Sequence, residues 1–146
     1  MVIVPLLALF LSVRCASATH HQRTAQQVVD AHLAGLNTCD FSALMALYPA
    51  EVHLFLPGGK VVKGRDAVAS IYRQTVQPFQ DGGVCGLKFE ADVTFTVGET
   101  VNVQWRAAST ELLTEPYLGA DAYVTKNGMM WAQVTTYDRA AMKARQ

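Results

Sequence analysis

LKFEADVTFTV, residues 87–97, decides the fold class of this chain. Leu87, Phe89, Ala91, Val93, Phe95 and Val97 alternate with Lys88, Glu90, Asp92, Thr94 and Thr96. A strict period of two over this length belongs to an extended strand with one face buried. Gly98-Glu99 turns the chain, and Val101, Val103, Trp105 and Ala107 then alternate against Asn102, Gln104, Arg106 and Ala108. After an irregular link over 109–116, residues 117–125 read as a further strand. Lys126-Asn127-Gly128 is a hairpin signal, because an Asn-Gly pair tolerates the left-handed backbone that tight β-turns require. Residues 129–137 close a meander of strands long enough to curl.

Upstream, the period changes to that of a helix. Thr24-Ala25-Gln26-Gln27 is a helix start, with Thr24 as N-cap and Gln27 reaching back to it. Ala25, Val28, Val29, His32, Leu33 and Leu36 then form one stripe, and Asn37 is a stop. Asp40 caps a second, short helix expected to run through Tyr48, where Pro49 ends it. Residues 52–56 and 60–63 read as a hairpin around Pro57-Gly58-Gly59, and Gly64-Arg65-Asp66 opens a third helix that runs to Pro78. Three helices, a short hairpin and a meander make an α+β domain. The helices cover the concave face of a cone-shaped, curved antiparallel sheet only in part. That leaves a mouth and encloses a pocket.

The length of 146 residues allows one domain of this kind. With 12 Lys plus Arg against 12 Asp plus Glu, scattered singly, the chain lacks the basic footprint of a nucleic-acid binder. Residues 1–18 read as a signal peptide: an apolar run over 2–13, too short for a stable membrane span, precedes the small residues Ala16-Ser17-Ala18. The run has no basic residue before it, and Arg14 directly before Cys15 argues against a lipoprotein. Cleavage after Ala18 would export a single domain over 19–146 with His20-His21 at its start and two cysteines, Cys39 and Cys85. In an oxidising compartment these would either form one disulfide, worth roughly 3–4 kcal/mol in the chain-entropy model, or stand as two separate thiols.

The pieces Val28-Val29 through Leu36-Asn37 with Asp40-Phe41, then Leu56-Pro57-Gly58-Gly59, Gly64-Arg65-Asp66-Ala67-Val68, and Gly119 to Val124 with Asn127-Gly128 occur in a telling order. Over residues 24–138 the chain resembles the nuclear-transport-factor-2-like superfamily, and within it the SnoaL-like group. That resemblance implies the cone fold, and its members include isomerases, dehydratases, cyclases, epoxide hydrolases and non-catalytic modules, so the fold alone selects no reaction. Compared with the family's steroid isomerases, Asp121 matches the oxyanion Asp, His32 stands at the Tyr position, and Leu56 occupies the position of the base. The Arg and two Asp of limonene-type epoxide hydrolases are not matched either: Arg106 is followed by Ala107-Ala108, and Thr135 stands where the second Asp is expected. The SnoaL-like cyclases use a His and Asp pair, of which Asp121 corresponds to one half.

His32 and Asp121 are the candidate catalytic residues, since imidazole and carboxyl groups facing one cavity form an acid/base couple. Each has a plainer reading, His32 as a satisfied core residue and Asp121 as an acid tied to backbone or to Arg106. Leu56, Tyr72, Trp105, Tyr123 and Trp131 are expected to line the pocket, whose ligand would be a small apolar or polycyclic molecule held without metal or organic cofactor. Tyr117 is a further aromatic that could line it, and His53 is expected to face outward. The alternative is a non-catalytic module that uses the outer sheet face for dimerisation or protein binding. On strict alternation that face carries Lys88, Glu90, Asp92, Thr94, Asn102, Gln104 and Arg106, which is polar for an obligate interface. A homodimer is compatible with both readings.

Overall fold

Thr24 opens the first helix, α1 (Ala25–Asn37), with a reciprocal cap: its hydroxyl accepts from Gln27 N–H, and the Gln27 side chain accepts from Thr24 N–H. The computed structural model describes residues 22–145; the expected leader 1–18, its cleavage site, Cys15 and His20-His21 lie outside the described residues. The stripe read from the sequence is the buried one, with Val28, Val29, His32 and Leu36 turned inward. Asn37 ends the helix and clamps the sheet: its amide donates to Phe89 O at 2.9 Å and accepts from Phe89 N at 2.7 Å.

The second helix, α2 (Phe41–Met45), is capped by Asp40 as expected and is shorter than expected. It unwinds after Met45, and the following turn carries the Tyr48 ring into the core, where it is 1% exposed. There Leu47 O also accepts from Met130 N at 2.7 Å, which docks the turn on the sheet. The third helix, α3 (Arg65–Thr75), follows a short hairpin, β1 (His53–Leu56) and β2 (Lys60–Lys63). Its Arg65 donates to Met45 O at 2.9 Å, tying α3 to α2.

Four long strands follow: β3 (Lys88–Val97), β4 (Thr100–Ala108), β5 (Tyr117–Lys126) and β6 (Met129–Tyr137). The sheet order is β2-β1-β6-β5-β4-β3, and the sheet is curved and open. Neighbours joined by turns pair antiparallel, as expected; β1 pairs parallel with β6, because the free edge of the meander takes a strand from the other end of the chain. The turn at Asn127 (φ 53°) and Gly128 (φ 68°) has the two left-handed residues that the Asn-Gly pair signals. The cone is thus the expected one, with helices on its concave face.

The expectation for β3 needs correction. Its register shifts between Ala91, opposite Trp105, and Val93, opposite Gln104, so Asp92 is an extra residue in the strand. A bulge of this kind reverses which face the following side chains occupy. Phe89 and Ala91 share the concave face with Trp105 and Ala107, whereas Val93, Phe95 and Val97 stand on the convex face beside Gln104 and Asn102. Phe95 is 64% exposed there. The bulge is held by Arg106, which donates to Glu90 at 2.6 Å with one arm and to Asp92 with the other.

Cys39, in the turn after α1, is joined by a disulfide to Cys85, with Cα atoms 5.9 Å apart. This decides between the two readings of the cysteines. The bond fastens the loop between α3 and β3 to the helical layer. That loop also folds back on itself, through Val84 N to Thr75 O (2.8 Å) and Cys85 N to Gln77 O (3.0 Å).

Candidate active site

The concave face of β5 displays Tyr117, Gly119, Asp121 and Tyr123, and the facing positions on β6 are Tyr137, Thr135 and Gln133. Parity alone therefore brings polar side chains into an interior otherwise built of Val, Leu and aromatic rings. A cavity of about 390 Å³ opens in front of them, between the sheet and α1, α3 and the loop after α3. Leu33, Leu54, Leu56, Ile71 and Phe89 make it apolar, and Asp121 stands in its wall. At the opening, Arg139 lines the cavity and donates to Gly82 O at 3.3 Å, joining the segment after β6 to the loop after α3.

Asp121 is 7% exposed. Its Oδ2 accepts from Tyr123 Oη at 2.7 Å and from Gln133 Nε2 at 3.0 Å. Its Oδ1 is buried and has no hydrogen-bond partner among the described residues. With Oδ2 already holding two donors, Oδ1 is the atom through which this carboxyl would exchange a proton or a hydrogen bond with a molecule in the cavity. Arg106, the partner considered for it from the sequence, is on the opposite face of the sheet with Glu90 and Asp92.

Gln133 is oriented by the same pair of demands. Its Nε2 must face the carboxylate, so its Oε1 faces two hydroxyls, accepting from Tyr72 Oη at 3.0 Å and Tyr48 Oη at 3.2 Å. The Tyr48 hydroxyl has one proton to give, and Tyr72 Oη, 2.7 Å away, is the alternative acceptor to Gln133; His32 Nδ1 lies 3.3 Å from the same oxygen, a contact whose direction follows the imidazole tautomer. Burial holds the hydroxyls of Tyr48, Tyr72 and Tyr123 well above the usual tyrosine range, so each stays a neutral donor. Burial also lowers His32 to about 4, which keeps the imidazole neutral at pH 7.

His32 and Asp121 therefore belong to one connected network, and Tyr48, Tyr72 and Gln133 stand between them. His32, 1% exposed, packs against Tyr123 with ring centres 5.4 Å apart and does not line the cavity, whereas Asp121 does. Of the residues expected in the wall, Leu56, Tyr72, Trp105 and Tyr123 line the cavity. Trp131 does not: it is the extra residue opposite Val124-Thr125, and its Nε1 donates to Lys126 O at 3.1 Å. His53 faces outward and stacks on Phe55. Tyr48, Gln133 and Thr135 were not singled out from the sequence as site residues for the interior. The signal for the last two is their parity, since they alternate with convex-face residues along β6 and share the phase of Tyr137. Tyr48 left no such signal, because its position depends on where α2 unwinds.

Among the described residues, no cluster of three or more His, Cys, Asp or Glu side chains is arranged to hold a metal ion. Nor is any helix among them long and apolar enough to cross a membrane.

A cone of three helices over a six-stranded open sheet, with a polar group at the back of an apolar cavity, is the architecture of the nuclear-transport-factor-2-like superfamily. The profile of the SnoaL-like domain matches residues 29–140, and the chain belongs to that family. No curated protein matches it. Solved structures similar to it include a nuclear-transport-factor-2-like protein from Cytophaga hutchinsonii, at TM-score 0.64 and 14% identity, covering 83% of this chain and 96% of that one. An LEH-like epoxide hydrolase from Mycobacterium tuberculosis superposes at TM-score 0.62 and 16% identity, covering 81% of this chain and 85% of that one. A protein classed as a SnoaL-like polyketide cyclase, from Shewanella putrefaciens, superposes at 0.64 and 13%, with 80% and 90% covered. At such identities the likeness is one of fold.

Proposed function

We propose that this chain is an exported domain that binds a small, mostly apolar or polycyclic molecule in its cone and acts on it by acid/base chemistry: isomerisation, dehydration or cyclisation. The observation that carries the reading is Asp121 Oδ1, buried in the wall of an apolar cavity with no partner among the described residues. A buried polar atom without a partner costs free energy, and a ligand group that meets it recovers that cost. Asp121 is the reacting group. His32 acts behind it as a positioning residue, through Tyr48, Tyr72 and Gln133.

The test uses 2-tetralone, an enolisable bicyclic ketone, in D₂O. Asp121 Oδ1 takes a proton from the carbon beside the carbonyl, the electron pair moves to the carbonyl oxygen as an enolate, and a deuteron returns to carbon. Wild-type protein is expected to speed this exchange over buffer, and Asp121→Asn to lower the rate by about a hundredfold or more, the usual contribution of a general base. Equal rates for the two proteins would remove the acid/base reading. Retained binding of the ketone would then leave a binding module.

A second reading has its own observation. Val93, Phe95, Val97, Leu118, Val124 and Val134 are exposed together on the convex face. A face with this much exposed apolar surface, crossed by Asn102 and Gln104 of β4, suits a second copy of the chain. It is compatible with a working cavity on the other side.

A further inference from the structure

Besides Asp121 Oδ1, one other buried side-chain polar atom has no partner among the described residues: Tyr117 Oη. Tyr117 is 6% exposed and lines the same cavity, and burial pushes its hydroxyl up to about 12, so it remains a neutral donor and acceptor. The two residues share the concave face of β5 and are four positions apart, which puts their Cα atoms roughly 13 Å from each other at the rise of an extended strand.

Between them stands Gly119, which also faces inward. A side chain there would overlap the six-membered ring of Trp105, its cross-strand neighbour. The glycine thus lets the indole lie against the sheet, so that at the strand position between the two residues an aromatic ring, and not a projecting side chain, covers β5. Trp105 is held there by Phe89 and Tyr117, with ring centres 5.6 and 5.8 Å away. A flat apolar surface over Gly119, with an orphaned polar side chain rooted two positions along the strand on either side, is complementary to one class of molecule.

We propose that Tyr117 Oη is a second polar anchor, and that the ligand is an elongated, flat aromatic or polycyclic molecule with a hydroxyl or carbonyl group at each end. One end meets Asp121 Oδ1, the other meets Tyr117 Oη, and the body lies on Trp105. The proposal rests on the reading of the cavity as a small-molecule site and adds to it the shape and the two-ended polarity of the ligand. Tyr117 is here a specificity-determining residue, with no part in the proton transfer at Asp121.

Biphenyl, 4-hydroxybiphenyl and 4,4′-dihydroxybiphenyl test it, with Kd read from tryptophan fluorescence for wild type, Tyr117→Phe and Asp121→Leu. Wild type is expected to prefer the diol over the mono-ol by roughly tenfold, the worth of one hydrogen bond to a buried orphan. Tyr117→Phe is expected to lose most of that preference while binding 4-hydroxybiphenyl as wild type does. Asp121→Leu is expected to weaken both hydroxylated probes. A diol preference that survives in Tyr117→Phe, or its absence from wild type while 4-hydroxybiphenyl still depends on Asp121, would overturn the second anchor and leave the small-molecule site standing. Failure of all three probes to bind would overturn both. Tyr117→Phe removes one oxygen and keeps the ring, and its urea midpoint compared with wild type shows whether a change in Kd belongs to the anchor.

Discussion

Protonating an imidazole inside a protein costs free energy that the unfolded chain does not pay. His32 has a folded pKa of about 4 against 6.5 unfolded, and burial is the cause. Between those values the unfolded chain binds a proton that the folded chain refuses, so stability is highest above pH 6.5 and falls as the pH drops toward 4. The full penalty is about 3 kcal/mol, since each tenfold loss of proton affinity on folding costs about 1.4 kcal/mol. Urea denaturation at pH 7 and pH 4.5 should therefore show a stability difference that shrinks by about 2–3 kcal/mol in His32→Gln. An unchanged difference would mean that His32 is already solvated. The groups that face this imidazole, Tyr48, Tyr72 and Tyr123, stay neutral over this range, so the part of the difference that His32→Gln removes belongs to the imidazole. The position of His32 on the apolar stripe of α1 was legible in the sequence. Its separation from Asp121, by Tyr48 and Gln133 along the hydrogen bonds and by Tyr123 through packing, was not, because no periodicity reports which side chain fills the space between two buried residues.

At the scale of elements, helix caps and turns were the most legible features, since each depends on residues within three or four positions of one another. Thr24 with Gln27, Asp40 and Asn127-Gly128 all act where they were expected. The bulge at Asp92 is the counterexample. The six apolar residues of 87–97 keep perfect alternation, yet an extra residue sends the last three to the other face. Only pairing with β4 reveals it, because Arg106 must be opposite Glu90 and beside Asp92 for the bulge to be held. The loop between α3 and β3 is similarly decided by distant contacts, its covalent tie to Cys39 above all. Closing 46 residues with a disulfide is worth about 4 kcal/mol in the chain-entropy model. Cys39→Ala/Cys85→Ala is expected to lose about 2–4 kcal/mol in chemical denaturation, and reductant should lower wild type alike while leaving the variant unmoved. Equal stability of the two proteins would remove the covalent tie from the account of this loop.

For the whole molecule, the bulge changes the character of the outer face. Strict alternation would make it polar and unsuited to a partner. Val93, Phe95 and Val97 on β3 instead stand there with Leu118 and Val124 on β5 and Val134 on β6, and Asn102 and Gln104 of β4 lie between the two apolar groups. Sedimentation at micromolar concentration is expected to give a dimer for the wild type and a monomer for Phe95→Asp/Val134→Asp, with the same far-ultraviolet circular dichroism. A monomeric wild type would reject the interface. Because that face is opposite the cavity, loss of the dimer should leave probe binding unchanged, which separates it from any effect on the site.

The sequence by itself determined the α+β cone, the strand and helix positions, the family resemblance, and Asp121 as the polar group of the interior. Each of these follows from periodicity, local turn chemistry or a motif within a few residues. The tertiary structure decided the parallel seat of β1 beside β6, the reversal of β3, the pairing of Cys39 with Cys85, and the chain Tyr48–Tyr72–Gln133 that supports Asp121. It also decided that Tyr117, Trp105 and Asp121 line one cavity. All of these depend on contacts between residues far apart in the chain, and packing, not local pattern, selects such contacts.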